Sequence, residues 1–440
     1  MHSLAHEFTN RKVSPWGGIK YYQQTYERSG LRDDMLDVGL PEGGSNRVLP
    51  AIDLVEGFMV STVLGSRRMA HIGMLKQDDV IREIFGWEKG IGSQSTYSRF
   101  FRRFDMAFND TFFTAVMRRW WDKMSIKKMT IDIDSTVISR YGNQDGAEVG
   151  YNPNKKGRPS HHPLMAFCDE LQMVINAWMR PGNTHDTNGM DCFLEQLLEI
   201  VPAERIGLLR ADSGFYSNEV MCELEEAKVK YIIRAKMTSA MLTQVLKIKE
   251  WYSNNTVCPG AFYAEIEYKA TGWFKSRRAV VVRRPKTVPS KGQKAIFEED
   301  NLRDSNDFFV YITTSDLSCV EIHALYNRRG DCENRIKELK YDYCMDGFCM
   351  DDINATEAAF RFIMLAYNVM SLFKQQVMQS RVRHQLSTIR FQCIAIGSYI
   401  TRSGRNKVLK LSAEGKRRHF LEHFFDNVEL LEPPFKFSNA

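Results

Sequence analysis

The stretch Thr130-Ile131-Asp132-Ile133-Asp134-Ser135-Thr136 decides the fold. Alternation and β-branched residues from Lys128 to Val137 predict a strand. Residues two apart in a strand share a face, so Asp132 and Asp134 point the same way. A carboxylate on an apolar central strand is costly unless it is paired or binds a cation. The stretch therefore predicts an acidic site on a sheet.

A second acidic residue lies at the end of another predicted strand. The strand from Arg205 to Ala211 is followed by Asp212-Ser213-Gly214-Phe215. A carboxylate at the carboxyl end of a strand, before a glycine turn, lies where α/β sheets bind ligands. Because aspartate also caps ordinary turns, Asp212 alone does not distinguish a site from a turn.

A charged helix supplies a third carboxylate. The pattern predicts one long helix from Val320 to Lys340, and four of its polar residues share a face: Tyr326, Arg329, Glu333 and Lys340. At about 100° per residue they lie within an arc of about 60°. Such a face suits a metal ion and phosphates. An exposed face of ion pairs explains the same pattern, so the helix alone leaves both interpretations open.

The order of elements predicts an α/β protein with a mixed sheet and flanking helices. Helical periodicity covers Leu49 to Lys123, and strands alternate with helices from Lys128 to Arg234. Further strands are predicted at Phe262 to Lys269, Arg277 to Arg284 and Phe308 to Thr313. The predicted divisions are a polar, partly extended arm at 1–47, a helical DNA-binding domain at 48–126, a first core part at 127–234, a β-rich insertion at 235–307, a second core part at 308–350 and a helical basic region at 351–440.

Positive charge is concentrated in two segments. The net charge of the chain is +6, yet residues 355–440 hold 13 Lys and Arg against 6 Asp and Glu, and residues 95–130 hold 8 against 3. Basic segments on a nearly neutral remainder indicate a polyanion partner such as DNA. Solvated helix faces explain the same charges, and charge alone does not decide between them.

Three arginines in the first basic segment are candidate DNA contacts: Arg99, Arg102 and Arg103. They lie off the apolar stripe of a helix that follows a glycine-rich turn, as in a helix-turn-helix reader. The turn is longer than that motif requires. A plain helical bundle is an equally good interpretation.

Several classes of protein are excluded or disfavoured. No apolar run reaches the length of about 18 residues that a membrane span needs, and the first residues lack a secretory signal pattern. We therefore expect a soluble, cytoplasmic protein. The nine cysteines are irregularly spaced, which disfavours a zinc site or a disulfide framework.

Together these motifs resemble insertion-sequence DDE transposases. Tyr326, Arg329, Glu333 and Lys340 match the Y-x2-R-x3-E-x6-K signature of that family. Asp134-Ser135-Thr136 resembles its first acidic motif, and Asp212-Ser213-Gly214-Phe215-Tyr216 its second. The segments from Tyr141 to His162-Pro163-Leu164 and Gly182-Asn183-Thr184-His185-Asp186 are similar to the IS-thirteen-eighty type.

The resemblance implies an RNase H-like catalytic core interrupted by the β-rich insertion. It implies that Asp134, Asp212 and Glu333 hold two Mg²⁺ ions, for which Mn²⁺ can substitute. We prefer Asp134 to Asp132 because a hydroxyl residue follows it. The resemblance further implies that three residues contact DNA: Tyr326, Arg329 and Lys340.

Other candidate DNA contacts lie outside the signature. Lys155, Lys156 and Arg158 occupy a loop beside the first strand, where ordinary solvation is the alternative. Trp273, in the insertion, is a candidate for stacking on an unpaired base, with a place in the core as the alternative.

The resemblance implies a bacterial, nucleoid-associated transposase. It would cleave double-stranded DNA at the terminal inverted repeats of its own element and join the 3′-OH ends to target DNA. A homodimer in the synaptic complex and no membrane association are expected. Two alternatives stay open: a nuclease with the same core that does not join strands, and a DNA-binding protein without enzymatic activity.

Overall fold

The central feature of the molecule is a mixed sheet. The structure is a computed structural model, and it describes residues 4–44, 48–254, 258–286, 305–380, 382–404 and 406–437. Within these residues nine strands form one sheet, in the order Tyr252–Ser253, Phe262–Tyr268, Arg277–Pro285, Asn306–Thr313, Tyr231–Arg234, Ile206–Ala211, Met129–Ser135, Leu164–Cys168 and Met173–Trp178. A mixed α/β architecture was predicted and is confirmed.

Three neighbouring strands of this sheet are parallel. Met129–Ser135 pairs with Ile206–Ala211, which pairs with Tyr231–Arg234. The strand Leu164–Cys168 runs antiparallel to Met129–Ser135 and to Met173–Trp178. The carboxyl ends of the parallel strands therefore meet at one edge of the sheet, where α/β proteins place ligands.

The predicted β-rich insertion extends this sheet. Its strands Phe262–Tyr268 and Arg277–Pro285 begin where the alternation predicts, and the sequence also predicted a strand close to Asn306–Thr313. Asn306–Thr313 pairs antiparallel with Tyr231–Arg234 and so joins the segment to the core strands. Part of the predicted insertion, residues 287–304, lies outside the described residues.

Helices dominate the part of the chain before the sheet. Their bounds are Ile19–Arg28, Leu31–Val38, Ala51–Val63, Met69–Leu75, Asp79–Phe85, Gln94–Phe101 and Met106–Asp122. Asp78 caps one of them by accepting from the amides of Val80 and Ile81, and the same helix ends at Gly86 in the left-handed region. The helical pattern predicted from Leu49 to Lys123 is confirmed.

The partly extended arm predicted over residues 1–47 was wrong for residues 19–38. Two helices occupy these residues. Tyr21, Tyr22 and Tyr26 are almost fully buried, and Leu31 and Met35 extend the buried stripe. The tyrosine rings supply the apolar face of the first helix, and Leu31 and Met35 supply that of the second.

The predicted long helix Val320–Lys340 is divided in two. Cys319–Asn327 begins with a capping box of Ser318 and Glu321, and a second helix covers Gly330–Tyr341. The side chain of Arg329, in the junction, is buried. Helical periodicity alone does not reveal this division, which lies directly before Gly330.

The last part of the chain is built around a buried helix, Ile353–Leu372, which continues into a short π-helical turn at Phe373–Val377. The helix packs against the strand Met173–Trp178 and the helix Ala51–Val63. Its apolar surface on all sides suits this central position.

The region predicted as helical at 351–440 contains strands as well as helices. Strands Ser398–Ser403 and Asn406–Leu411 form a hairpin that pairs with Val13–Ser14, before a last helix at Gly415–Glu429. Alternation of Tyr399, Thr401 and neighbouring residues is the signal that the sequence prediction missed. The remaining short elements are Met124–Ser125, Ile138–Ser139, Ser160–His161, Met190–Ile200, Asn218–Glu226, Ser239–Leu246, Leu386–Ile389 and Phe435–Lys436.

Candidate active site

Asp134 lies at the carboxyl end of the strand Met129–Ser135 and is the most buried of the three predicted acids. It is 9% exposed, and its Oδ1 lies 3.0 Å from a guanidinium nitrogen of Arg329. Burial raises the pKa of Asp134 to about 6; Arg329 opposes the shift, and the negative charges of Asp212 and Glu333 add to it. The three predicted acids therefore act on one another electrostatically.

Asp212 occupies the matching position on the neighbouring strand. Ile133 is paired with Ala211, so Asp134 and Asp212 follow the last paired residues of two parallel strands. Asp212 Oδ1 accepts from the backbone amide of Gly214 at 2.8 Å, which fixes the turn that begins there. The strand register thus places these two carboxylates next to each other at the sheet edge.

The third acid approaches from the divided helix. Glu333 lies in the first turn of Gly330–Tyr341, and its side chain is exposed. Lys340 lies almost two turns further and donates to Thr136 Oγ1 at 2.5 Å and to the Val137 carbonyl at 3.1 Å. This helix is therefore attached to the chain that leaves the acidic strand.

Tyr326 and Arg329 lie before that helix. The ring of Tyr326 packs on Tyr311, with centroids 4.6 Å apart. Arg329 donates to the Ile133 carbonyl at 3.2 Å in addition to its ion pair with Asp134. The four signature residues are brought to the same edge, but by two helices and a junction rather than by one helical face.

Asp132, two residues before Asp134, has a different environment. It is fully buried, and Arg210 donates to both of its oxygens at 2.7 Å. Arg210 also contacts Asp169 at 3.0 Å, and Arg335 contacts the same Asp169 at 2.6 Å. Two buried arginines thus balance two aspartates. We call these four residues the buried ion network.

The buried ion network joins the elements that carry the three predicted acids. Arg210 lies on the strand that ends at Asp212 and also donates to the Leu325 carbonyl at 2.6 Å. Arg335 lies on the helix that carries Glu333. Because an ion pair of this kind fills the coordination of Asp132, the network supports Asp134 as the functional acid of the strand.

Three of the remaining predicted DNA contacts lie together in one exposed loop. Lys155, Lys156 and Arg158 are exposed, and Arg158 lies over the ring of Tyr141, which is 69% exposed. They form a basic loop with an aromatic ring, which can contact a nucleic acid backbone and bases.

The predicted arginines of the N-terminal helices lie near the surface. Arg99 is exposed, Arg102 forms an ion pair with Asp351 at 3.2 Å, and Arg103 donates to the Pro41 carbonyl. Arg99 and Arg102 are accessible to a partner, whereas Arg103 is partly used within the fold.

Trp273 has no surface from which to stack on a base. It is 9% exposed, packs against the rings of Tyr216 and Tyr268, and lies beneath the guanidinium of Arg277. This is the alternative stated from the sequence, a tryptophan in the core. The aromatic side chain contributes apolar burial between the sheet and the turn after Asp212.

A further carboxylate near the site was not among the predicted site residues. Asp186 accepts from Ser135 Oγ at 2.7 Å, and His162 Nε2 lies 3.1 Å from the same hydroxyl. Both residues belong to segments quoted for the family resemblance, Gly182 to Asp186 and His162-Pro163-Leu164. That resemblance was the available signal, but no spacing rule connects these segments to Asp134.

The chemistry of the acids fits a hard divalent cation. Burial and the charges of Asp212 and Glu333 raise the pKa of Asp134, which forms an ion pair with Arg329. Mg²⁺ prefers carboxylate oxygen ligands of this kind. Within the described ranges, no three His, Cys, Asp or Glu side chains are grouped closely enough to hold a metal ion.

The described helices include none long and apolar enough to cross a membrane.

The fold and the site define an α/β protein with an acidic centre at the carboxyl edge of its parallel strands. The chain matches the family Transposase DDE domain group 1 over residues 2–433, and it therefore belongs to this family of DDE transposases. The resemblance found from the motifs is confirmed at this level. The assignment to the IS-thirteen-eighty type stays a prediction.

A search of curated proteins finds no match for the chain. Among solved structures, the chain is similar to piggyBac transposase in a synaptic complex with hairpin DNA, with a TM-score of 0.45 and 12% sequence identity. The similarity covers 87% of this chain and 81% of that chain.

Proposed function

We propose that this transposase cleaves double-stranded DNA at the inverted repeats that end its insertion sequence and joins the 3′-OH ends to target DNA. Family membership supplies the class of activity. The observation that carries the residue assignment is the strand register, in which Asp134 and Asp212 follow the paired residues Ile133 and Ala211 on neighbouring parallel strands. Burial raises the pKa of Asp134, and the charges of Asp212 and Glu333 add to that shift. A phosphoryl-transfer site would need the three elements that carry these residues to bring their carboxylates to one acidic centre.

Asp134, Asp212 and Glu333 would hold two Mg²⁺ ions, with Mn²⁺ as a substitute. When bound, these ions would activate the attacking water or 3′-OH and stabilise the leaving oxygen. The protein fixes the carboxylates by different means: strand register for Asp134 and Asp212, and helix docking for Glu333. The exposed position of Glu333 leaves its side chain free to adjust.

Arg329, Lys340 and Tyr326 would bind the DNA backbone beside the cleaved bond. Arg329 already contacts Asp134, and Lys340 contacts Thr136. Both cations therefore lie beside the carboxylates that act on the phosphate. A guanidinium can bind a phosphate through two donors, whereas the lysine acts as a point charge.

Five neighbouring strands support an RNase H-like core: the strand that carries Asp134 and two strands on each side of it. In chain order they are Met129–Ser135, Leu164–Cys168, Met173–Trp178, Ile206–Ala211 and Tyr231–Arg234. If these strands are numbered one to five in chain order, their spatial order across the sheet is 3-2-1-4-5. Only the second runs antiparallel to its neighbours.

Two exposed basic surfaces would bind the DNA outside the acidic centre. One is the loop with Lys155, Lys156 and Arg158, and the other is the helix end with Arg99 and Arg102. Because such contacts release counterions, the affinity for DNA should fall steeply as the salt concentration rises. A homodimer would bring both element ends together in the synaptic complex.

Excision in cells tests the proposal. The gene with its native flanking DNA is placed on a plasmid, and loss of the element is scored by sequencing the junctions. Wild-type protein is compared with Glu333→Gln, which keeps the shape and removes the charge. Asp331→Asn is the matched control, because Asp331 is an exposed acid on the same helix.

Excision by the wild type and by Asp331→Asn, but not by Glu333→Gln, would support the proposal. Equal excision by all three would show that Glu333 is not catalytic. Cleavage of the ends without new insertions would favour a nuclease that does not join strands. Expression and folding of each variant are checked by its circular dichroism spectrum.

A further inference from the structure

Asp186 lies between the two acidic turns of the sheet edge. Its Oδ1 accepts from Ser135 Oγ at 2.7 Å, and the backbone amide of the same Ser135 donates to Asp134 Oδ1 at 2.9 Å. Ser135 therefore connects Asp186 directly to the residue that carries the first catalytic carboxylate. The side chain of Asp186 is 25% exposed, so it is partly enclosed by these contacts.

The other oxygen of Asp186 lies against the turn after the second strand. A Cβ atom built on Gly214 would lie 2.4 Å from Asp186 Oδ2 and 2.9 Å from Asp212 Oδ1. The carboxylates of Asp186 and Asp212 therefore approach the same point, and the missing side chain of Gly214 leaves the room for both. Any larger residue would displace one of the two carboxylates.

The loop that carries Asp186 is held in place independently of its carboxylate. Arg180 is 5% exposed, and it donates to the backbone carbonyls of Asp186 and Asn188 at 3.1 Å. Arg180 also donates to the His162 carbonyl, and the His162 ring lies 3.1 Å from Ser135 Oγ. Asp186 is thus presented to the acidic turns by a fixed backbone.

We propose that Asp186 is a positioning residue that sets the separation of Asp134 and Asp212. It orients the Asp134 turn through Ser135 and limits the Asp212 turn through its packing at Gly214. This inference rests on the proposed metal-dependent function of the two aspartates. Residues that orient metal ligands typically alter metal affinity by about 10–100-fold when they are replaced.

Direct Mn²⁺ binding tests the inference without measuring activity. Free Mn²⁺ is quantified by electron paramagnetic resonance during titration of the full-length protein without DNA. The variants are Asp186→Asn, Ser135→Ala and Asp134→Asn, and Asp191→Asn is the control because Asp191 is an exposed acid nearby in the chain. Thermal unfolding with and without Mn²⁺ is recorded for each protein.

We expect Asp186→Asn to weaken Mn²⁺ binding by about 10–100-fold, and Ser135→Ala to weaken it less. Asp191→Asn should match the wild type. The unfolding temperature of Asp186→Asn without Mn²⁺ should equal that of the wild type, whereas its increase on adding Mn²⁺ should be smaller. A residue with a merely structural role would lower the metal-free value instead.

Two other results would overturn the inference in distinguishable ways. If Asp134→Asn loses Mn²⁺ binding and Asp186→Asn retains wild-type affinity, Asp186 does not position the ligands and the proposed function stands. If Asp134→Asn binds Mn²⁺ like the wild type, the proposed metal site fails and the inference fails with it. If Asp186→Asn does not fold, the test rests on Ser135→Ala. Wild-type Mn²⁺ affinity in that variant would refute the proposed link from Asp186 through Ser135 to Asp134.

Discussion

Asp132 and Asp134 lie two residues apart on one strand, and each is paired with an arginine, yet their surroundings are opposite. Asp132 receives two hydrogen bonds from Arg210 at 2.7 Å and has no exposed surface. Asp134 has a single ion-pair contact with Arg329 at 3.0 Å and two further acids acting on it. Burial raises the pKa of both carboxyls, but Asp132 is held by two hydrogen bonds from one arginine and Asp134 by a single ion-pair contact.

The balance of charges around Asp132 and around Asp134 explains why we assign them different roles. In the buried ion network two aspartates face two arginines, so the formal charges of the network balance. At the acidic centre three carboxylates face the guanidinium of Arg329, so negative charge is in excess. A divalent cation relieves such an excess, because it is the largest local charge in its site. Balanced charges suit the structural role of the buried ion network, whereas an excess of negative charge suits a site that binds a cation.

Removing Asp132 should have the largest effect on folding. Asp132→Asn leaves Arg210 and Arg335 facing only Asp169, with one buried positive charge uncompensated. Loss of one partner of a buried pair typically destabilises a protein by about 3–5 kcal/mol. Urea unfolding followed by circular dichroism measures this change in the free energy of unfolding.

A second substitution provides the control. Asp132→Asn/Arg210→Met removes one charge of each sign and leaves Asp169 paired with Arg335. The double variant should recover part of the lost stability, and the cycle isolates the coupling of the pair. If Asp132→Asn alone unfolds at the wild-type urea concentration, the network does not hold the strand.

Removing Asp134 should have its largest effect on activity. We expect Asp134→Asn to lower DNA cleavage by about 10³-fold, equivalent to about 4 kcal/mol of the barrier, because it would remove a proposed metal ligand. Cleavage of a labelled duplex carrying an element end measures the effect. Retained cleavage, with Asp132→Asn inactive but folded, would reverse the assignment of the two acids.

Asp134 should also make stability depend on pH when metal is removed with a chelator. Its folded-state pKa of about 6 lies above the ordinary value of 3.8. The group therefore contributes stability that is complete below about pH 4 and is lost as pH rises through about 6. The shift corresponds to about 3 kcal/mol.

The measurement is a series of urea unfolding curves from pH 4 to pH 7. Other groups titrate in this range, so the quantity to compare is the difference between the wild type and Asp134→Asn. The variant, relative to the wild type, should gain stability as pH rises. A pH-independent difference would show that burial does not disfavour the charged form of Asp134.

The sequence predicts the sheet and the acidic edge because their causes are local. Alternation defines the strand Met129–Ser135, and turn residues mark its neighbours. Both Asp132 and Asp134 follow from that periodicity as residues of one face. The partner of each does not, because Arg210 and Arg329 lie far along the chain and reach them only after folding.

The divided helix shows the same limit. A periodic pattern predicts continuous structure from Val320 to Lys340, since nothing in its composition interrupts a helix until Gly330. Arg329, in the junction beside Gly330, contacts Asp134 and Ile133 on another element, and helical periodicity contains no information on such contacts. Asp186 was missed for a similar reason, because its relation to Ser135 is purely tertiary.

A third arginine–aspartate pair, exposed on the surface, should show the smallest effect on stability. Arg102 lies 3.2 Å from Asp351, and both side chains are more than half exposed. Exposed pairs of this kind contribute about 0–1 kcal/mol, so Arg102→Ala and Asp351→Asn should both leave the urea midpoint nearly unchanged.

The two variants should differ in DNA binding, because only one removes a cation. If Arg102 contacts a phosphate, Arg102→Ala lowers affinity on all sequences and reduces the salt slope by about 1. Asp351→Asn frees the same guanidinium and should bind DNA at least as tightly as the wild type. Equal affinities for both variants at several salt concentrations would assign Arg102 to the solvated surface, since a charge that contacts the backbone cannot be removed without changing that slope.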